Sequence, residues 1–67
     1  MEKLELKGEF IKLDQLLKAV TAISGGEAKN AIAEGLVLVN GEVETRRGKK
    51  LRRGDKVNFD GQDIMVV

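Results

Sequence analysis

Cysteine, histidine, proline, tryptophan and tyrosine are all absent from this chain of 67 residues. Without cysteine and histidine there can be no disulfide, thiolate nucleophile, imidazole base or Cys/His metal site. One serine, Ser24, and two threonines, Thr21 and Thr45, supply the hydroxyls, so most catalytic constellations cannot be assembled. A binding module is expected rather than an enzyme, with no catalytic residue, no cofactor and no metal. The aromatics are Phe10 and Phe59 alone, whereas folds that stack bases on an aromatic platform use two or three rings on one face. No apolar run approaches the ~20 residues of a membrane span, and no basic-then-apolar stretch opens the chain. A cytoplasmic protein with no membrane partner is expected.

What the chain does have is a small apolar complement and an uneven charge. At 42% apolar it is too hydrophobic for a disordered tail, and a chain this short buries roughly 60% of its unfolded surface. One domain over residues 1–67 is expected. The net charge of +1 conceals a concentration of one sign. Residues 1–45 hold five lysines against eight acids, whereas residues 46–56 hold Arg46, Arg47, Lys49, Lys50, Arg52, Arg53 and Lys56 against Asp55 alone. Such clustering is an electrostatic footprint for an anionic partner, although basic runs also occur as plain solvated surface.

Hydrophobic period divides the chain. Leu4 and Leu6 alternate with Glu5 and Lys7 as a short strand that stops at Gly8. Leu13, Leu16, Leu17, Val20 and Ile23 recur at helical spacing and predict a helix over 14–22, with Asp14 at its positive end and Lys18 four residues on, placed to pair with it. Ser24-Gly25-Gly26-Glu27 matches a capping box, so a second helix is expected over 25–34, burying Ala28, Ala31 and Ile32 and ended by Gly35. The period then changes to that of strands. Leu36 to Val39 closes on Asn40-Gly41, a strong hairpin signal, with Glu42 to Thr45 returning. A second hairpin joins Lys56–Phe59 to Gln62–Val67 through Asp60-Gly61, which sets Phe59 opposite Gln62 and Val57 opposite Ile64. Between the hairpins lies the basic segment, with Leu51 as its one apolar residue and its expected pin into the core. The expected class is α+β, two short angled helices on a sheet of four to five strands.

Leu13-Asp14, Ser24, Glu27-Ala28-Lys29, Ile32, Gly35, Val37, Val39-Asn40-Gly41, Gly54-Asp55 and Val57 occur in an order and spacing that resembles the S-four-like RNA-binding domain, named after the fourth protein of the small ribosomal subunit. The match spans about residues 10–60. The chain is also similar to the small stand-alone bacterial YaaA/YbcJ-like proteins, through Ser24 to Lys29 and through Glu44-Thr45-Arg46 with the basic run behind it. This resemblance implies an L-shaped pair of helices with following strands, the alpha-L motif, that docks on structured RNA. Ribosomal or ribosome-associated RNA, or the ribosome, is the implied partner of a monomeric protein.

The resemblance also implies where contacts fall. Lys12 stands where many members carry Arg before the Leu-Asp pair, which keeps a charge and loses a bidentate fork. Lys29 matches a common basic position. Gly25 replaces an Arg that touches RNA in many members, and Glu42 replaces a frequent basic residue. The helical face is therefore less basic than usual, and binding is expected to shift to Arg46, Arg47, Lys49, Lys50, Arg52 and Arg53. Asn40 is turn chemistry that could also touch RNA. Gly25-Gly26 reads either as a phosphate approach to open amides or as a joint between helices. The alternative function is a protein-interaction adaptor whose basic loop meets an acidic partner.

Overall fold

The computed structural model describes residues 1–67, and its elements follow the change of period along the chain. They are β1 (Glu2–Leu4), β2 (Ile11–Lys12), α1 (Leu13–Thr21), α2 (Gly25–Ala33), β3 (Val37–Val39), β4 (Glu42–Val43), β5 (Lys50–Leu51), β6 (Lys56–Phe59) and β7 (Gln62–Val66). Five strands form one sheet in the order β1-β7-β6-β3-β4, while β2 and β5 form a separate two-stranded ribbon. β1 runs parallel to β7, and the other pairings are antiparallel. This is the α+β arrangement with two hairpins that the periodicity implied.

Both hairpins turn on residues that accept a left-handed backbone. Asn40 and Gly41 have φ of 52° and 85°, Asp60 and Gly61 of 52° and 77°. Two consecutive positive φ values mark the mirror-image turn whose twist matches that of paired strands. In β6–β7, Val57 faces Ile64 and Phe59 faces Gln62, as expected. On the opposite face Asn58 Nδ2 donates to Asp63 Oδ1 at 2.7 Å.

The core is entirely apolar: thirteen buried residues and no buried polar or charged side chain. α1 contributes Leu13, Leu16 and Leu17, α2 contributes Ala28, Ala31 and Ile32, and Val37, Val57, Ile64 and Val66 rise from the sheet. Helix spacing and strand alternation thus converge on one cluster. The junction between the two helices is set by local chemistry. Ala22 ends α1 in a left-handed conformation, and Ser24 caps α2, its Oγ accepting from Glu27 N–H at 3.1 Å while Glu27 Oε1 accepts from Ser24 N–H at 3.3 Å. Gly35, at φ +78°, follows the helix where the left-handed cap was expected.

Some details differ from the sequence reading; among them, β4 ends at Val43 and not at Thr45. α1 begins one residue early, at Leu13. Leu6 lies beyond β1, although its N–H still donates to the Val67 carbonyl at 2.8 Å and its side chain is buried. Leu36 is 57% exposed rather than part of the strand, because the chain leaves α2 through Gly35 with the Leu36 N–H still bonded to the Ala31 carbonyl. Finally, Lys18 does not pair with Asp14; the one ion pair joins Arg46 to Glu44. A methyl group added at Gly25 would lie 3.8 Å from Lys18 Cδ and 3.9 Å from its Nζ, so Lys18 reaches toward the start of α2 instead.

Candidate nucleic-acid interface

The basic segment is positioned by its smallest strand. β5 pairs antiparallel with β2, setting Leu51 opposite Ile11 and Lys50 opposite Lys12. Leu51 is 0% exposed, and Ile11 packs against the same core. Strand side chains alternate between faces, so anchoring these two inward turns Lys12 and Lys50 outward together. Like charges directly opposite each other in a sheet repel. No carboxylate pairs with either lysine.

The backbone closes the segment over the start of α1. Leu13 N–H donates to the Lys49 carbonyl at 2.9 Å and Asp14 N–H to the Arg47 carbonyl at 3.1 Å. Gln15 N–H is taken by Asp14 Oδ1 at 2.8 Å. Amides that would otherwise be open at a helix start are therefore occupied.

The cationic side chains divide into held and free. Arg46 forks onto Glu44, Nε to Oε2 at 3.0 Å and Nη2 to Oε1 at 3.1 Å, and its backbone N–H also donates to Oε2 at 3.0 Å. The hydrogen bonds from the Arg46 side chain, then from its backbone, hold the Glu44 carboxyl at about 2, well below its ordinary 4.5. Glu44 is 14% exposed and the Arg46 side chain 72%, so the guanidinium keeps an open side. Arg53 is drawn the other way, donating from Nη2 to the Leu6 carbonyl at 3.0 Å and from Nη1 to the Gly8 carbonyl at 3.2 Å. The side chains of Lys12, Arg47, Lys49, Lys50 and Arg52 form no hydrogen bond or ion pair within the fold. Lys50 Nζ instead rests 4.8 Å from the centroid of the Phe10 ring.

Arg46, Gly48, Lys49, Lys50 and Arg52 line a shallow concavity of about 470 Å³ that contains no carboxylate and no apolar residue. Lys12 adjoins it through its pairing with Lys50. Arg47 is exposed on the same loop. Lys29 stands exposed on α2, apart from this lining. Asn40 serves as a staple between the hairpins: its Oδ1 accepts from Lys56 N–H at 3.0 Å and its Nδ2 donates to Asp55 Oδ1 at 3.0 Å. Asp55 Oδ2 accepts from Arg52 N–H at 2.8 Å, and that bond is the chief reason the Asp55 carboxyl titrates below its usual range. Glu44 and Phe10 were missed as members of this surface. Glu44 lies two positions before Arg46 and is legible as a neighbour of the basic run; Phe10 is 40 positions from Lys50 in the chain and carries no local signal of the contact.

Comparison with known proteins places this geometry. The S4 domain model matches residues 4–67. YbcJ of Escherichia coli (strain K12) is 52% identical over 62 residues, which cover 91% of this chain and 89% of that protein. RlbA of Bacillus subtilis (strain 168), by name a "probable ribosome maturation protein", is 50% identical over 54 residues, 79% of this chain and 76% of its own. The solution structure of E. coli YbcJ superposes with a TM-score of 0.75 and 43% identity, covering 100% of this chain and 87% of that one, and reveals an alfaL motif involved in RNA-binding. With its ordered motif, its two helices on a mixed sheet and this match over nearly all residues, the chain belongs to the S4 domain family.

Proposed function

We propose that residues 1–67 act as one non-catalytic module that binds structured RNA through the cationic concavity beside the β2–β5 ribbon. The carboxylate-free lining of Arg46, Gly48, Lys49, Lys50 and Arg52 is the observation that carries this reading. Arginine can fork across two phosphate oxygens or stack on a base, and lysine supplies a point charge. Such contacts suit an A-form helix, whose shallow minor groove and phosphates are recognised by shape more than by base edges. Lys12 and Arg47 extend the surface. Lys29 is an outlying contact, and Asn40 acts by holding the Arg52–Lys56 turn in place.

The RNA class proposed is ribosomal, or a precursor of it. Membership of the S4 domain family and the name of the B. subtilis relative support that choice. Crosslinking in cells followed by sequencing of the attached RNA tests it, with enrichment of ribosomal RNA segments over messenger and transfer RNA as the expected result. Protein that purifies at low salt free of nucleic-acid absorbance, and that crosslinks only to other proteins, would overturn the RNA reading in favour of an adaptor.

A further inference from the structure

Phe10 is a large apolar side chain 37% exposed to solvent, in a chain with one other aromatic residue. It sits just before β2, so the ribbon that presents Lys12 and Lys50 also fixes the ring beside them. Lys50 Nζ lies 4.8 Å from the ring centroid, within cation–π range. Phe10 also joins Leu4, Leu6, Lys7, Gly8 and Ile11 around a shallow groove of about 330 Å³. Arg53 fixes that groove's wall, because its guanidinium is bonded to the Leu6 and Gly8 carbonyls. Glu5 is the one carboxylate in the lining, set against Lys7 and the neighbouring Lys12, Lys50 and Arg53.

We propose that Phe10 and this groove form a subsite for a single unpaired nucleobase, next to the phosphates held by the cationic concavity. This deepens the RNA-binding reading above and rests on it. An apolar, partly aromatic recess rimmed by cations has the chemistry of a nucleotide: a flat π-face for the ring and positive charge for the phosphate. A base inside a duplex is stacked on its neighbours and cannot enter; a bulged or loop base can. One ring cannot make the multi-base platform of a single-strand binder, so one base is accommodated. The RNA selected is a helix interrupted by, or ending in, an unpaired nucleotide, in preference to a continuous duplex. Lys50 both lines the cationic concavity and rests on the ring, so one side chain joins the phosphate site to the base site.

The test uses two hairpin RNAs with the same stem, one carrying a single bulged 2-aminopurine. The parent should bind the bulged hairpin about tenfold more tightly than the continuous one, the scale of one base–aromatic stack, and quench the 2-aminopurine fluorescence. Phe10→Leu keeps apolar bulk in the groove and should lose both the preference and the quenching, with an unchanged salt dependence, since stacking releases no counterions. Phe10→Tyr should retain both, which separates stacking from a folding effect. Equal affinity of parent and Phe10→Leu for the two hairpins, with equal fluorescence, would overturn the subsite while leaving RNA binding intact. Failure of the parent to bind either hairpin would overturn the RNA-binding reading and the subsite with it.

Discussion

Single side chains decide more here than their number suggests, because a domain of this size holds only ~3–5 kcal/mol of stability. Ser24 accepts the Glu27 amide at the start of α2, and Ser24→Ala should cost about 1 kcal/mol by orphaning that donor. Chemical denaturation of the two proteins measures it; an unchanged midpoint and slope would show that the hydroxyl caps nothing. The adjoining Gly25 has the opposite sign. Its backbone φ is not left-handed, and an added methyl meets only the Lys18 side chain at ordinary distance, so Gly25→Ala should stabilise by about 0.5 kcal/mol through the unfolded chain. Glu44 contributes to acid stability. Its carboxyl titrates at about 2 in the fold against 4.5 ordinarily, so between those values the unfolded chain binds more protons. The contribution is therefore present above about pH 4.5 and is lost as pH falls toward 2, with Asp55, also lowered, acting in the same direction. Denaturation midpoints measured at pH 6 and at pH 3 should converge in Glu44→Gln relative to the parent.

Elements were legible in the sequence where their chemistry is local. The turns at Asn40-Gly41 and Asp60-Gly61 announce themselves because two successive left-handed residues suit few side chains, and the Ser24–Glu27 cap needs nothing beyond four residues. The β2–β5 ribbon carries no such mark: two strands of two residues each, Ile11–Lys12 and Lys50–Leu51, are too short for any period to appear. The parallel pairing of β1 with β7 and the reach of Arg53 to the Leu6 and Gly8 carbonyls join distant parts of the chain and leave no local signal either. The candidate site was legible as composition, in the run of cations after Thr45. Its division into the held Arg46 and Arg53 and the free side chains of Lys12, Arg47, Lys49, Lys50 and Arg52 is not legible in that composition. Leu51 was readable as a pin, since it is the one apolar residue of the segment, and the ribbon gives that pin a consequence. Leu51→Ala should lose roughly 2–5 kcal/mol, as for other buried leucine truncations, and should loosen Lys12 and Lys50 together. Faster amide exchange at Leu13 and Asp14, which donate to the Lys49 and Arg47 carbonyls, would accompany the loss. A change near zero with unaltered exchange would mean that the segment is held by its backbone bonds alone.

Across the whole molecule, the near-neutral total of +1 conceals seven cations and one acid within residues 46–56. Long-range attraction alone would make every cation equivalent; the structure makes them unequal. The side chains of Lys12, Arg47, Lys49, Lys50 and Arg52 have no internal hydrogen bond or ion pair, whereas Arg46 shares its charge with Glu44 and Arg53 is committed to backbone carbonyls. If the five free side chains each meet a phosphate, the logarithm of RNA affinity should fall against the logarithm of salt with a slope of roughly −3.5 to −4.5, depending on strandedness. Replacing Arg47 and Arg52 together by Gln should flatten that slope by roughly 1.4 to 1.8, with the denaturation midpoint unchanged because neither side chain is bonded within the fold. Arg53→Gln should behave in reverse, lowering the midpoint by freeing the Leu6–Gly8 stretch while leaving the slope near that of the parent. Lys18→Gln, on the outer face of α1, should alter neither. Titrations of a folded RNA at several salt concentrations distinguish these outcomes. If the Arg47 and Arg52 double variant keeps the full slope and affinity, phosphates are met elsewhere and the cationic concavity is ordinary solvated surface.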